Sequence, residues 1–179
     1  EKTKVMVFRK GGPLARNEKW HFDGVNLEVV KSYCYLGYTF TTKISPKLGT
    51  QWFVAKGIKA VILLCKVFQK YKEMLYDVFF KIFDTEIMPI LLYSSEIWGL
   101  QRLDNIEKVH LLACKRFLGV PVRTPNKMVY GELGRYPVFI NSYTSAVRYW
   151  LKLVMMDPHR LPYQAYLMLV SLDLAGKIC

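Results

Sequence analysis

Residues that could do chemistry are spread thinly along this sequence of 179 residues. Phosphoryl transfer through two metal ions needs carboxylates held close together, and no two acidic residues are adjacent here. The histidines lie far apart, and no Ser-His-acid or Cys-His arrangement stands out. We therefore expect no catalytic residue, no metal ligand and no bound cofactor in this chain. The histidines are His21, His110 and His159.

The cysteines are also widely spaced, without a Cys-x-x-Cys pair or a Cys/His cluster at zinc-ligand spacing. This spacing predicts reduced core thiols in an intracellular protein, nuclear or cytoplasmic and not secreted. The chain begins with Glu1-Lys2-Thr3, without an initiator Met, and we expect both of its ends to be cut from something longer. The cysteines are Cys34, Cys65, Cys114 and Cys179.

Positive charge dominates the composition. Lys and Arg number 26 against 14 Asp and Glu, which gives a net charge of +12 at pH 7 and favours an anionic partner. No uncharged stretch, 161–172 included, reaches the roughly 20 residues that a membrane span needs. We therefore expect a polyanion as partner, with no membrane and no small-molecule substrate.

The segment "YCYLGYTF", residues 33–40, combines four aromatic residues with a glycine. Gly37 has no Cβ and lets another backbone approach closely, while the aromatic rings offer flat surfaces for a sugar or a base. The alternative is that these aromatics only pack a sheet.

Lysines recur at helical spacing over the predicted helix 51–71. At 100° per residue one side is apolar, and the lysines fall within about 80° of one another on the opposite side, interrupted by Leu63 and Val67. Such a stripe either contacts phosphates or is an ordinary solvated face. The apolar side holds Ile58, Val61, Cys65 and Phe68, and the stripe holds Lys56, Lys59, Lys66 and Lys70.

The elements that position these residues form an α+β fold that is mostly α, with a small antiparallel strand cluster at the N-terminus followed by a bundle of five or six helices. Strands are predicted at 5–9 and 33–41, and a hairpin turns at Asp23-Gly24. Helices are predicted at 51–71, 75–98, 104–119, 141–156, after Thr124 and after Pro162. The chain then divides into 1–49, 50–122 and 123–179.

Several details of the helices are also predicted. Pro89 should bend the second helix. Asp104 and Glu107 have capping-box spacing, Thr124 precedes Pro125 as a cap, and "GELG" at 131–134 is typical of a helix C-cap, with a KH-type loop as the alternative. "VRYWLKL", 147–153, is expected to lie in the core, although its aromatics could also bind a base or a lipid surface.

The order of several segments adds a resemblance to a known family. "KTKVMVF", a short hairpin, "YCYLGYTF", "EIMPILLYSSEIWG", "CKRFLGV" and "TPNKMVYGELGRYPV" resemble the region that follows the catalytic palm in non-LTR, LINE-like retrotransposon reverse transcriptases. Tyr-Leu-Gly alone is a weak signal, whereas the ordered set, which covers nearly the whole chain, is much stronger.

This resemblance implies that Tyr35, Leu36 and Gly37 form a primer-grip turn, and that helix 51–71 is the thumb that lies along an RNA-DNA or DNA template-primer. It places the catalytic aspartates of the Mg²⁺-dependent parent polymerase upstream of Glu1, so this chain should not polymerise by itself. The missing palm and fingers are then possible partners. The alternative is a helical protein-interaction module, or a degraded remnant, with no nucleic-acid activity.

Overall fold

The structure is a computed structural model that describes residues 3–8, 19–42, 45–70 and 75–174. The fold is α+β and mostly α, with short strands first and helices after them, as predicted. Two compact units are present: Glu1–Tyr93 with Leu103–Arg135, and Ser94–Arg102 with Tyr136–Cys179. The division into 1–49, 50–122 and 123–179 follows changes in element type and stays a prediction.

The described strands pair two by two. The second strand pairs antiparallel with the third, and the fifth with the sixth, each through a two-residue turn. The first pairs parallel with the fourth, so the predicted antiparallel cluster is wrong at this pair. A parallel pair needs a long crossover connection, and the separation between Val5 and Glu28 provides one. The strands are β1 (Lys4–Val5), β2 (His21–Phe22), β3 (Val25–Asn26), β4 (Glu28–Val29), β5 (Ser32–Tyr35) and β6 (Tyr38–Thr41).

The predicted Asp23-Gly24 hairpin is confirmed. Asp23 and Gly24 have φ of +50° and +76°, the conformation of a type I′ turn, whose twist matches that of the flanking strands. The end of the predicted strand at Arg9 lies outside the described residues.

The described helices account for most of the chain. A π-helical turn at Phe83–Ile87 joins the third helix to the fourth. The predicted helix 51–71 is confirmed as α2, and its last predicted residue, Tyr71, lies outside the described residues. The helices are α1 (Pro46–Gly49), α2 (Gln51–Lys70), α3 (Tyr76–Ile82), α4 (Met88–Leu91), α5 (Ser95–Trp98), α6 (Asp104–Leu118), α7 (Asn126–Leu133), α8 (Phe139–Val154) and α9 (Leu161–Leu174).

The predicted helix 75–98 is subdivided. The π-helical turn directly precedes Pro89, which lacks the N–H that a regular helix would pair one turn back. Ser94, at φ +57°, is left-handed and separates α4 from α5. The regular α-helical hydrogen bonding is therefore interrupted just before Pro89, while the predicted bend there stays a prediction, and Ser94 interrupts the helix a second time, which the sequence pattern did not indicate.

The core of the first unit lies where α2 packs against α4, α6 and the π-helical turn. Val61, Leu91 and Val109 are fully or almost fully buried there. Ile58 was predicted on the apolar side, but its side chain is exposed. The buried face is centred near Gly57 and Val61, and Ile58 lies about 90° round the helix from that centre.

Two predicted helix N-caps, Asp104 and Thr124, are wrong, whereas two predicted helix ends are confirmed. α6 begins at Asp104 and its N-cap is Leu103, while the carboxylate of Glu107 accepts a hydrogen bond from Tyr130. Pro125, not Thr124, is the N-cap of α7. Gly119 and Gly134 end α6 and α7 in left-handed conformations, which makes "GELG" a C-cap.

In the second unit α5 packs against α8, and α9 follows on α8. The segment "VRYWLKL" was expected in the core, but Tyr149, Trp150 and Leu151 are exposed because the buried face of α8 is formed by Ser142 and Ala146. Among the helices of the described residues, none combines the length and the apolar character needed to cross a membrane.

Candidate nucleic-acid interface

The four lysines of the predicted stripe are all exposed along α2. With a rise of 1.5 Å per residue, Lys56 and Lys70 are separated by about 21 Å along the helix axis. Phosphates of one strand recur about every 3.4 Å along a duplex, so this length spans about six of them. The stripe therefore presents several cations to one strand at once.

Two apolar side chains lie within the lysine stripe. Trp52 and Leu63 project into the same sector of α2, and the Nζ atom of Lys56 lies 4.2 Å from the centroid of the Trp52 ring. Trp52 is 53% exposed. Sequence reasoning did not select Trp52, although its i, i+4 spacing to Lys56 was a usable signal. The face of α2 thus alternates cations with flat or apolar surface.

The Tyr35–Gly37 turn is held in one conformation by a distant residue. Leu36 and Gly37 have φ of +48° and +82°, which defines a second type I′ turn. The hydroxyl of Tyr93 donates a hydrogen bond of 2.6 Å to the carbonyl oxygen of Leu36. The side chain of Leu36 remains 74% exposed and that of Tyr35 58% exposed.

Aromatic contacts connect this turn to the first turn of α2. Tyr38 is buried and stacks on Phe53, with 6.5 Å between ring centroids, and Phe53 contacts Tyr93 at 5.1 Å. Trp52 meets Phe53 edge-on at 5.5 Å. The aromatic segment 33–40 therefore has a buried part and an exposed part. Tyr38 packs in the core, while Tyr35 and Leu36 at the turn are exposed to solvent.

The seven predicted site residues lie on two neighbouring elements, the turn between β5 and β6 and the helix α2. The turn of Tyr35, Leu36 and Gly37 sits beside the start of α2, and the lysines follow from Lys56 toward the other end of the helix at Lys70. Lys70 lies about 25 Å from Phe53 along the axis, so the turn and the last lysine are too far apart to contact the same chemical group.

A partly buried polar network, which the sequence pattern did not indicate, joins the π-helical turn and α6 to Arg135, which follows α7. Arg135 makes a bidentate pair with Asp84, and its Nε donates to Nε2 of His110 at 2.9 Å. The guanidinium also lies 4.4 Å from the centroid of the Phe80 ring. Burial lowers the pKa of Arg135, but the hydrogen bonds and charge of Asp84 outweigh this and raise it, so the guanidinium stays charged.

Two described carboxylates contact side chains of other elements. Among the described residues, no group of His, Cys, Asp and Glu could hold a metal ion. Asp84 is engaged by Arg135, and Glu107 lies between Tyr130 and His110. These carboxylates are used to join helices.

The thiols fall into two classes. Cys65 and Cys114 are buried as predicted, but Cys34 is exposed on β5 and is not a core residue; Cys179 lies outside the described residues. Burial raises the pKa of Cys65 and raises that of Cys114 to about 12. The buried thiols are therefore neutral and poorly nucleophilic near neutral pH.

Comparison with protein-family models, with curated proteins and with solved structures found no match to this chain.

Proposed function

We propose that this chain binds template-primer nucleic acid, RNA-DNA or DNA, without sequence specificity, as the primer-grip and thumb region of a reverse transcriptase of the non-LTR retrotransposon type. One observation carries the proposal. The exposed face of α2 bears Lys56, Lys59, Lys66 and Lys70 and starts beside a rigid, solvent-facing turn. Cations spaced over several phosphates supply affinity that does not depend on sequence.

The proposal assigns binding, and no catalysis, to this chain. The parent polymerase would contribute the carboxylates and the Mg²⁺ ions for nucleotide addition, and its palm and fingers would be the protein partners. Backbone and ring surfaces at the turn of Leu36 and Gly37 would then position the end of a strand, while α2 follows the duplex.

The test is the salt dependence of binding to a labelled RNA-DNA primer-template. The variant changes all four stripe lysines to Gln. We expect its affinity at low salt to fall by at least tenfold and its log-log salt slope to flatten by about 3, because each lost phosphate contact removes close to one unit of slope.

A matched control removes the same charge elsewhere. Changing Lys81, Lys108, Lys127 and Lys152 to Gln leaves the same net charge, and all four are exposed residues outside α2. This control should keep most of the affinity and of the salt slope. Equal losses in the two variants would mean that only net charge matters, and the proposal of an α2 interface would then be abandoned.

A second candidate is a helical protein-interaction module, and the apolar residues on α2 favour it. Ile58 and Ile62 are exposed beside the lysine stripe. Changing both to Gln should leave nucleic-acid binding within about twofold under the first proposal, because neither lies in the lysine sector. Absence of any salt-sensitive binding by the unmodified chain would favour this second candidate.

A further inference from the structure

We infer that Trp52 is an additional nucleic-acid contact residue, one that stacks on an exposed base at a duplex end or gap and so directs the chain to such sites. This inference rests on the proposed function. Under this inference Trp52 makes the chain bind duplex ends or gaps more tightly than continuous duplex, whereas the lysines bind both alike.

The position of Trp52 is the first argument. It lies in the first turn of α2, in the same angular sector as Lys70, with Lys56 one turn further on. A strand that follows the lysines therefore reaches Trp52 at the end of their row. Its neighbour Phe53 contacts Tyr93, whose hydroxyl holds the Leu36 carbonyl, so Trp52 and the turn share one support.

Exposure is the second argument. More than half of Trp52 is accessible, although the neighbouring Phe53 is buried. The edge-on contact with Phe53 and the Lys56 ammonium over the ring restrict the orientation of the indole. A flat ring that is restrained before binding loses little conformational entropy when a base stacks on it.

The preference follows from the chemistry of the two groups. Phosphates are present along every duplex, so lysines bind ends and continuous duplex alike. A base exposes its face only where stacking is interrupted, at an end or beside a gap, and an aromatic ring gains stacking energy only there. Trp52 should therefore add an affinity that is selective for ends and almost insensitive to salt.

The experiment compares the full chain on two DNA probes, a relaxed closed duplex circle and the same circle with one short gap. The unmodified chain should bind the gapped circle about tenfold more tightly per molecule at moderate salt. Trp52→Ala should lower the affinity for the gapped circle more than that for the closed circle, so that the preference falls to about twofold or less. Trp52→Phe should restore part of the preference, because a smaller ring still stacks.

Trp150→Ala is the matched control, since Trp150 is 48% exposed but lies in the second unit. It should keep the full preference for the gap. Circular dichroism of each variant, with urea unfolding, establishes that the fold is intact before binding is compared.

The possible failures are distinguishable. Binding to neither circle removes the proposed function and this inference with it. Binding to both circles with no preference, or a preference that survives Trp52→Ala, overturns the role of Trp52 alone. A Trp52→Ala variant that loses affinity equally on both circles would also overturn it, because the residue would then act on duplex in general.

Discussion

Gly37 and Gly131 show how backbone conformation decides the effect of one methyl group. Gly37 has φ of +82°, which an L-residue adopts only with strain, whereas Gly131 lies inside α7 with open space where a Cβ would be. Gly37→Ala should lower the free energy of unfolding by about 1 kcal/mol. Gly131→Ala should raise it by about 0.5–1 kcal/mol, since alanine is the better helix former.

Urea unfolding of both variants checks this pair. Gly37→Ala should in addition weaken primer-template binding, because the turn carries the exposed Leu36. Equal changes in stability for the two substitutions would contradict the turn conformation.

The buried Cys114 predicts how stability depends on alkaline pH. Burial raises its pKa to about 12 in the folded chain, although Arg135 partly opposes this, while an unfolded thiol has a pKa near 8.5. Above about pH 8.5 the unfolded state therefore releases a proton that the folded state keeps. Stability should fall as pH rises toward 12, by up to about 1.4 kcal/mol per pH unit from this group.

Unfolding in urea between about pH 8 and about pH 10 measures that slope. Cys114→Ala should lower stability at all pH values through the cavity it leaves and should flatten the slope, while Cys65 leaves a residual fall. The control Cys34→Ala, at an exposed thiol, should keep the full slope. A Cys114→Ala variant with an unchanged slope would place the responsible group elsewhere.

At the scale of elements, local pattern predicts some features well and long-range contacts decide the others. The period of apolar residues predicts α2 and its lysine face, and Asp-Gly predicts the first hairpin, because both depend on neighbours in sequence. Asp104 was predicted as an N-cap, but Leu103 holds that position, and Glu107 accepts a hydrogen bond from Tyr130, 23 positions away. No local pattern contains that contact.

The candidate site shows the same division. Its seven residues could be selected from spacing and from the family resemblance, but their support could not. The hydrogen bond from Tyr93 to Leu36 joins residues 57 positions apart, and it fixes the turn beside α2. Trp52 was not selected from the sequence, although its i, i+4 spacing to Lys56 was a usable signal, and the structure shows its side chain at the surface.

Arg135 is the residue through which three elements are joined, and its replacement tests that network. It follows α7, pairs with Asp84 in the π-helical turn and donates to His110 in α6. Arg135→Met keeps much of the apolar volume but leaves the buried Nε2 of His110 without its donor. We expect a loss of about 1–3 kcal/mol in the free energy of unfolding.

Asp84→Asn is the companion variant, for which we expect a smaller loss of stability. Asp84 is partly exposed, so water can hydrogen-bond to Arg135 in place of the carboxylate. It should cost about 1 kcal/mol or less. The two variants are compared by urea unfolding at neutral pH. A larger loss for Asp84→Asn than for Arg135→Met would show that the exposed ion pair, and not the buried histidine contact, holds these elements together.

At the scale of the whole molecule, a large share of apolar surface remains in water. Each sheet in the described part of the chain has two strands, so its edges pair with no further described strand, and side chains such as Phe22, Leu75 and Met155 are exposed. Exposed apolar patches and free edges promote association. We therefore expect marginal stability and aggregation on heating of the purified chain, and a cooperative melt at high temperature would contradict this expectation.

The two compact units provide the last prediction, because each has its own probe. Trp98 is buried in the second unit, while Trp20, Trp52 and Trp150 are exposed, so loss of blue-shifted fluorescence reports on the surroundings of Trp98. Cys114 is fully buried in the first unit, so its reaction with a thiol reagent reports on the opening of that unit.

Gly99→Ala perturbs the second unit alone. A Cβ on Gly99 would overlap the backbone carbonyl oxygens of Ser142 and Ser95, and since neither is a flexible side chain, α5 and α8 would have to separate. We expect the Trp98 transition to occur at lower urea, because the free energy of unfolding of the second unit falls by about 3 kcal/mol. The protection of Cys114 should change little. If the Trp98 transition and the Cys114 reactivity shift together, the two units unfold as one cooperative structure. In that case a substitution that disturbs only the packing of α5 on α8 also lowers the protection of Cys114.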